Sequence, residues 1–336
     1  MIDFRVYYIA TEVVMHKEFF INQLKIDEEF TDFFLVKSIA IRIGSNRKQY
    51  LDVTLADNTG EINGKKWDVN DEEAINLGKI KEGDLVKIRA SVSEWNNVKQ
   101  LRIARIRKGQ KEDGCEMTDY IKAAPEDPEE MYAFIRGKAE SIADEGLRAM
   151  ALLFLDREKE RLLYYPAAMK NHHAEQAGLL YHIKRMLAMG EKACEVYTQL
   201  DRDWIVCGVI LHDMEKLNEI QSNELGISNG YTFEGQLLGH LVQGAARVAE
   251  MAKETGLSAE KTVLLQHMMV SHHYEPDFGS PKKPMFIEAE MLHYLDMIDA
   301  KMFDFEAALS GVDPGQFSER VRTLDGRMLY KPSFKD

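Results

Sequence analysis

The stretch WIVCGVILHDMEK, residues 204–216, places a histidine and an aspartate directly after an apolar run. The run predicts a buried helix in a half of the chain that is rich in helical patterns. An unpaired charge on such a helix costs on the order of several kcal/mol, so His212 and Asp213 require partners. A bound metal ion would provide them, and the surrounding sequence contains further residues of the same kind.

Histidine is concentrated around this stretch, because nine of the ten histidines lie between residues 172 and 293. Imidazole and carboxylate together suit divalent transition metals, and rigid helices can hold such ligands at coordination distance. No thiolate accompanies them, which disfavours a structural zinc site. The candidate ligands outside the doublet are His182, His240, His272, His273, Asp296 and Asp299.

The order of these residues, a histidine, the His-Asp doublet and a late aspartate, matches the signature H…HD…D of the HD phosphohydrolases. His182 precedes the doublet by 30 residues, and Asp296 ends the series. The chain therefore resembles that superfamily. The resemblance implies that His182, His212, Asp213 and Asp296 bind one metal ion and that the reaction is hydrolysis of a phosphoester.

Two aspartates compete for the last ligand position. Asp296 and Asp299 are three residues apart and share a helix face, so spacing alone leaves the choice open. The segment HYLDMID resembles the family pattern at its first aspartate, which favours Asp296. Asp299 is then an alternative ligand or a residue that supports a ligand or faces the substrate.

The histidines after the doublet resemble those with which HD enzymes hold a second ion. The resemblance implies that His240 and His272 bind it and that Asp213 bridges the two ions, with His273 as a weaker candidate. The alternative is that His240 is an ordinary histidine on a helix and does not bind an ion. Lys216 lies one turn after His212, and we expect it to approach a phosphate oxygen. The alternative for Lys216 is a surface lysine.

The N-terminal part of the chain has a different pattern. Between residues 33 and 107, short β-branched and apolar runs alternate with turn signals such as Gly44-Ser45-Asn46 and Asn96-Asn97. They predict five strands with a short helix near 71–77, which favours a small closed barrel such as the OB-fold. From 131 to 309 the apolar spacing is helical. The predicted fold is a multidomain α+β protein, with a five-stranded OB-type β-barrel followed by an all-α HD-domain helical bundle.

The two parts of the chain also differ in net charge. The chain carries a net charge of −13, yet residues 31–111 contain 16 Lys and Arg against 11 Asp and Glu. Aromatic residues lie among these cations, and this mixture binds single strands through base stacking and phosphate contacts. The predicted nucleic-acid-binding residues are Lys48, Tyr50, Lys66, Trp67, Trp95 and Lys99. Tyr50 and Trp67 are equally compatible with the barrel core, whereas Trp95 is expected to be exposed at a hairpin tip.

Taken together, the segments resemble the YhaM family of bacterial 3′-5′ exoribonucleases. After the OB-like barrel come NHHAEQAGLLYH, GVILHDMEKLNE, YTFEGQLLGHL, MVSHHYEPDFGSPKKP and EAEMLHYLDMIDAKM, in that order. The resemblance implies release of nucleoside 5′-monophosphates from the 3′ end of single-stranded RNA, and activity on single-stranded DNA as well. It also implies manganese or cobalt as the divalent ion, with two ions in the site.

Composition and spacing alone lead only to a metal phosphohydrolase with a nucleic-acid-binding barrel. One alternative is an HD phosphohydrolase that acts on a nucleotide or cyclic nucleotide. Another is a non-catalytic single-strand-binding adaptor, which is disfavoured because every position of H…HD…D is occupied. A homo-oligomer is compatible with an enzyme that encloses its strand, but no motif demands one.

The predicted division of the chain follows from these patterns. It comprises an N-terminal extension (1–30), the OB-fold domain (31–111), a linker with leading helices (112–160), the HD domain (161–310) and a C-terminal tail (311–336). The three cysteines have no CxxC spacing, and no stretch has the features of a membrane span or a signal peptide. The sequence therefore predicts a cytoplasmic protein.

Overall fold

A computed structural model describes residues 17–44, 47–96, 98–110, 113–115, 119–169 and 173–334. The chain divides into two compact units, Met1–Lys122 and Ala123–Asp336. Each unit has its own hydrophobic core. The first 16 residues of the predicted N-terminal extension lie outside the described residues, as does His172 of the segment NHHAEQAGLLYH.

The first unit contains a closed five-stranded barrel. Its strands are β1 (Glu29–Ile43), β2 (Gln49–Asp57), β3 (Gly60–Val69), β4 (Leu85–Trp95) and β5 (Val98–Lys108). Around the barrel the order is β1-β2-β3-β5-β4. Strand β1 pairs antiparallel with both β2 and β4, and a short parallel pairing of β3 with β5 completes the closure. This is the strand order of the OB-fold, so the predicted barrel is confirmed.

Alternation of apolar and polar residues determines which side chains fill the barrel. In β4, Val86 and Ile88 face the core, and Lys87 between them faces outward, as the two-residue period of a strand requires. The predicted short helix is α1 (Asp71–Leu77), and the side chain of Asn70 caps it by accepting from a main-chain N–H. Leu77 of α1 joins the barrel core.

The barrel unit extends beyond the predicted limits of 31 and 111. Before β1, Lys17 is buried, and its Nζ donates to the main-chain oxygen of Phe33 at 2.5 Å. Its main-chain N–H donates to the carboxylate of Asp119 at 3.3 Å. Burial lowers the pKa of Lys17, and the nearby Asp32 partly offsets this effect. Residues assigned from the sequence to an extension and to a linker thus belong to the barrel unit, because they contribute partners for its buried polar groups.

The second unit is helical. Its helices are α2 (Pro128–Glu140), α3 (Glu145–Leu162), α4 (Gly178–Val196), α5 (Arg202–Leu211), α6 (Lys216–Glu219), α7 (Phe233–Thr255), α8 (Ala259–Ser271) and α9 (Ile287–Ser310). Met131 of α2 and Leu147 of α3 belong to the same core as the buried residues of α4, α5 and α9. The leading helices that the sequence placed with a linker are therefore part of the helical domain, since their apolar faces are buried against it.

The buried helix predicted from the apolar run that begins at Trp204 is interrupted. Helix α5 ends at Leu211, His212 follows as its C-cap, and the chain turns before α6 begins at Lys216. Within the turn, the N–H of Met214 donates to the oxygen of Leu211 at 3.1 Å. Apolar residues continue across the break, so spacing alone does not reveal it. The turn leaves both His212 and Asp213 buried.

Two short hairpins accompany the helices, and the sequence predicted neither. Strand β6 (Ile220–Ser222) pairs with β7 (Ser228–Tyr231). In the predicted tail, β8 (Phe317–Val321) pairs with β9 (Arg327–Tyr330). Within the described ranges, no helix has the length and apolar character needed to cross a membrane.

Candidate metal centre and nucleic-acid interface

Four predicted ligands meet where α4, the end of α5 and α9 converge. Nε2 of His182 lies 3.3 Å from Nε2 of His212 and 3.4 Å from Oδ1 of Asp296. Nε2 of His212 lies 3.2 Å from Oδ2 of Asp213. The two histidines and Asp213 are buried. The fold thus brings together the four residues of H…HD…D, which are distant in sequence.

Asp213 faces a second group of histidines through its other oxygen. Oδ1 lies 3.4 Å from Nε2 of His240 on α7 and 3.8 Å from Nε2 of His272 at the end of α8. The potential ligand atoms of His240, His272 and His273 lie within 4.8 Å of one another. One carboxylate therefore lies between two clusters of nitrogen donors, which is the arrangement that a ligand shared by two ions requires.

Oxygen acceptors outside the two clusters orient all five imidazoles. The Nδ1 of each ring donates to one oxygen at 2.8–2.9 Å. His182 donates to Asp299, His212 to Val209, His240 to Glu219, His272 to Met269 and His273 to Phe278. With the proton fixed on Nδ1, the lone pair of each Nε2 is available for a metal ion.

Converging lone pairs repel one another unless a cation lies between them. Oδ1 of Asp213 and the Nε2 atoms of His240 and His272 are buried, and none of them has a hydrogen-bond partner among the described residues. Buried polar atoms seldom remain without a partner. Imidazole nitrogen and carboxylate oxygen are ligands of divalent transition metals. The donor set therefore fits such ions.

A break within α7 positions His240. Gly239 has a φ of 69° and a ψ of 160°, a conformation that favours glycine because it has no Cβ. The N–H of His240 is thereby directed to Oε1 of Glu219 at 3.2 Å, while its ring donates to Oε2. Sequence reasoning missed Glu219. The separation of 21 residues along the chain gives no signal that these two residues interact.

Asp299 lies behind His182, outside both clusters. Its Oδ2 accepts from Nδ1 of His182 at 2.8 Å and from Nε2 of His173 at 2.7 Å. Its Oδ1 lies 2.6 Å from Nε of Arg185. Burial raises the pKa of Asp299, but the hydrogen bonds from His173 and His182 outweigh it and hold that pKa well below its usual range. His173 and Arg185 were not predicted, because they contribute contacts to an aspartate more than a hundred residues away.

Lys216 belongs to the site and is not a surface residue. Only 8% of it is exposed, and its Nζ lies 2.7 Å from Oδ2 of Asp213. Burial lowers the pKa of Lys216, but the carboxylates of Asp213 and Asp296 raise it above its ordinary value. Burial likewise opposes ionisation of Asp213, but His212 and Lys216 hold the pKa of Asp213 well below its usual range. The centre thus holds an ionised carboxylate beside a buried ammonium group.

The barrel presents a separate aromatic surface. The rings of Tyr50 on β2 and Trp67 on β3 are stacked, with centroids 4.8 Å apart and planes inclined by 28°. Nζ of Lys65 lies 5.9 Å from each centroid. Trp67 is 46% exposed, so it is not a core residue. Trp95 at the end of β4 is 71% exposed, and Lys48 pairs with an exposed aspartate.

Two predicted nucleic-acid-binding lysines do not join this aromatic surface. Successive residues of a strand point to opposite faces, so Lys66 points away from its neighbours and pairs with Glu73 of α1 at 3.0 Å. Nζ of Lys99 donates to the main-chain oxygen of Leu24 at 2.6 Å, which fixes the segment before β1. Lys65, which was not predicted, is the cation beside the rings.

Comparison with known proteins shows which family the chain resembles. A model of the HD domain matches residues 179–301. A 3′-5′ exoribonuclease YhaM of Shouchella clausii is 38% identical, over 94% of this chain and 97% of the relative. Proteins of the same name from Halalkalibacterium halodurans and Oceanobacillus iheyensis are each 36% identical, over 93% of this chain and 96% of the relative. A solved OB-fold domain of replication protein A from Methanococcus maripaludis has a TM-score of 0.23 and 19% identity, over 28% of this chain and 95% of that chain. The assignment of the barrel rests on its strand order.

Proposed function

The chain belongs to the YhaM family of 3′-5′ exoribonucleases, and from this membership we propose how its two units act on RNA. It is a metal-dependent hydrolase that shortens RNA from the 3′ end. The observation that supports the proposed mechanism best is the position of Asp213, whose Oδ2 faces Nε2 of His212 and whose Oδ1 faces Nε2 of His240. A carboxylate in that position is suited to hold two ions beside one phosphodiester bond.

We assign the ligands on this basis. The proposed ligands of one ion are His182, His212, Asp213 and Asp296, and those of a second are Asp213, His240, His272 and, at its edge, His273. Manganese or cobalt is the proposed ion, as the resemblance to the YhaM family implies, and a donor set of imidazole and carboxylate without thiolate fits a divalent transition metal. Such ions supply polarisation of the phosphodiester and activation of water at neutral pH.

The residues of the chain prepare the centre for this chemistry. The oxygen acceptors behind the rings keep each imidazole in the tautomer that leaves Nε2 available. Lys216 keeps Asp213 ionised, and we propose that it also contacts a phosphate oxygen of the strand as a point charge. Because the centre is buried, these electrostatic interactions are stronger than they would be in bulk water.

Asp299 is proposed to position His182 and not to bind the ion itself. Asp299→Asn keeps the shape of the side chain but removes the charge that holds Nδ1 of His182. We expect the manganese concentration for half-maximal activity to rise roughly 10–100-fold, as is usual for residues that support a metal ligand. Activity at saturating manganese should recover, and the KM for RNA should not change.

The control for this substitution is Asp304→Asn on the same helix, which should leave the manganese requirement unchanged. If Asp299→Asn instead lost activity at every manganese concentration while it remained folded, Asp299 would be a direct ligand. A titration of activity against manganese, done with both variants, distinguishes the two roles.

On the barrel, we propose that Tyr50 and Trp67 form a platform on which bases of the strand stack. Lys65 and Lys48 would contact the backbone beside it, and Trp95 would add a contact at the hairpin tip. The β2–β3 face and the loop between β4 and β5 are the surfaces with which OB-folds bind oligonucleotides. Stacking is tolerant of sequence, because every base has an aromatic face.

Trp67→Ala is expected to weaken binding of single-stranded RNA by about 1–3 kcal/mol, the contribution of one stacked base. This corresponds to roughly a 5- to 150-fold rise in Kd. Trp67→Phe keeps an aromatic face and should retain most of the affinity. Fluorescence anisotropy with a labelled RNA measures both, and equal affinities of the alanine and phenylalanine variants would exclude the platform.

The nature of the product tests the proposed reaction. With manganese present, unlabelled single-stranded RNA should be converted to nucleoside 5′-monophosphates. Nucleoside 3′-phosphates as products would contradict the reaction as proposed. Hydrolysis of cyclic nucleotides with intact RNA would favour a small-molecule phosphohydrolase.

We propose three further properties. Single-stranded DNA should also be a substrate, because stacking and phosphate contacts do not require the 2′-hydroxyl. A homo-oligomer would help to enclose the strand. A cytoplasmic location agrees with the three free thiols Cys115, Cys194 and Cys207.

A further inference from the structure

A basic groove opens on the barrel, and none of its lining residues belongs to the Tyr50–Trp67 platform. It has a volume of about 670 Å³ and is formed by residues of α1 and of the barrel strands. The apolar side chains of Leu77, Ile88 and Ile106 contribute to its lining. Its charged lining residues are Lys66, Lys87, Arg89, Arg105, Arg107 and Glu73. Five cations therefore share the groove with one lining carboxylate.

The register of β4 and β5 concentrates this charge. Lys87 lies directly opposite Arg107, and Arg89 lies directly opposite Arg105. The two pairs are two residues apart along β4, so they lie on the same outward face. Like charges placed directly opposite each other destabilise a sheet. Two consecutive pairs of this kind favour a bound anion that offsets the repulsion.

Neighbouring carboxylates neutralise only part of the charge. Lys66 pairs with Glu73 of α1 at 3.0 Å, and Arg107 pairs with Asp113 at 2.7 Å. Among the residues that the structure describes, Arg89 has only a 3.8 Å contact with an exposed glutamate.

Two further cations have no such ion pair with a described residue. Nζ of Lys87 lies over the ring of Phe33, 4.9 Å from its centroid, and no ion pair of Lys87 is found in the described ranges. Arg105 is exposed and likewise has no ion pair or side-chain hydrogen bond to any described residue. Lys87 and Arg105 are thus the cations most available to a ligand.

We propose that this groove binds the phosphodiester backbone of the RNA strand and extends the contact with the strand beyond the stacking platform. Along β4, Lys87 and Arg89 are about 7 Å apart, so that separate phosphates of one strand can reach them. The described lining residues include no aromatic side chain, which favours phosphates over bases as the bound groups. This inference rests on the proposed function, since it assumes an RNA substrate, but it concerns a surface that the proposed reaction does not use.

The test compares three full-length proteins: the wild type, Lys87→Gln/Arg105→Gln, and the control Lys25→Gln/Lys37→Gln. The control removes the same charge from residues of the same unit that do not line the groove. Each protein is titrated at several salt concentrations with a 3′-blocked single-stranded RNA of about 20 nucleotides, longer than the roughly 4–16 that one OB-fold binds. The slope of log K against log salt counts the phosphates that are neutralised.

The groove variant should reduce the magnitude of this slope by about 1.4 relative to the wild type, which corresponds to two lost phosphate contacts on a single strand. It should also bind the RNA more weakly than the control does. A slope and an affinity equal to those of the control overturn the proposal.

Cleavage of an unblocked short RNA separates this result from a failure of the proposed function. The groove variant should cleave an RNA of about 4 nucleotides, the low end of the site size of one OB-fold, at the wild-type rate. If the variant cleaves this RNA at the wild-type rate and its salt slope equals that of the control, the groove proposal is rejected and the proposed function stands. A wild-type protein that does not cleave RNA at all rejects the proposed function, and the inference that rests on it falls with it.

Discussion

Asp213→Ala is expected to abolish RNA hydrolysis, with kcat reduced on the order of 10³-fold or more, the scale on which loss of a principal electrostatic group slows an enzyme. Both oxygens of Asp213 face nitrogen donors, so its loss removes a ligand from each proposed ion site at once. RNA binding through the barrel should persist, because the platform residues belong to the other unit. Single-turnover cleavage and anisotropy on the same protein measure the two properties.

The substitution also leaves the buried Lys216 without its carboxylate partner, so folding requires a separate control. Asp213→Asn keeps the volume and should lose activity to a similar extent. Asp313→Ala, at an exposed aspartate in the turn after α9, should have no effect. Thermal melting shows which variants remain folded. Full activity of either Asp213 variant would contradict the assignment of the metal centre.

Removal of divalent metal is the second large effect that we expect. Chelation should abolish hydrolysis, and manganese or cobalt should restore it. Magnesium should restore less, because it prefers oxygen ligands and the centre offers mainly imidazole nitrogen.

The stability of the folded state should also depend on the bound metal. An ion present at about 100 times its Kd stabilises the folded state by about 2.7 kcal/mol.

This stabilisation has a control that does not depend on activity. Manganese should raise the melting temperature of the chelated wild type but have a much smaller effect on Asp213→Asn, which lacks the shared carboxylate. An equal rise in both proteins would place the ions elsewhere in the chain. Persistent hydrolysis in excess chelator would contradict metal dependence itself.

The sequence predicted the barrel well, because its strands are short and alternate between core and surface. The five strands predicted between residues 33 and 107 correspond to the five strands observed between Glu29 and Lys108. The ends of the barrel unit were not predicted. The contribution of Lys17 depends on contacts with Phe33 and Asp119, and no local pattern encodes such long-range partners.

In the helical unit, the predicted ligands are brought together, but the residues that hold them in place could be found only in three dimensions. Glu219 contacts the ring of His240 and His173 contacts the carboxylate of Asp299, and both partners are far away in the sequence. The break after Leu211 was hidden because apolar residues continue through it. Spacing left the choice between Asp296 and Asp299 open. In the structure, Asp296 faces the centre and Asp299 supports His182 from behind.

The most direct test of the central claim uses a 5′-labelled single-stranded RNA with the manganese-loaded protein. A copy of the RNA blocked at its 3′ end and a metal-free protein serve as controls. We predict a ladder of products that shorten progressively from the 3′ end and that are absent from both controls. Intact RNA in the manganese reaction, or the same products from the blocked copy, would contradict a metal-dependent 3′-5′ exoribonuclease.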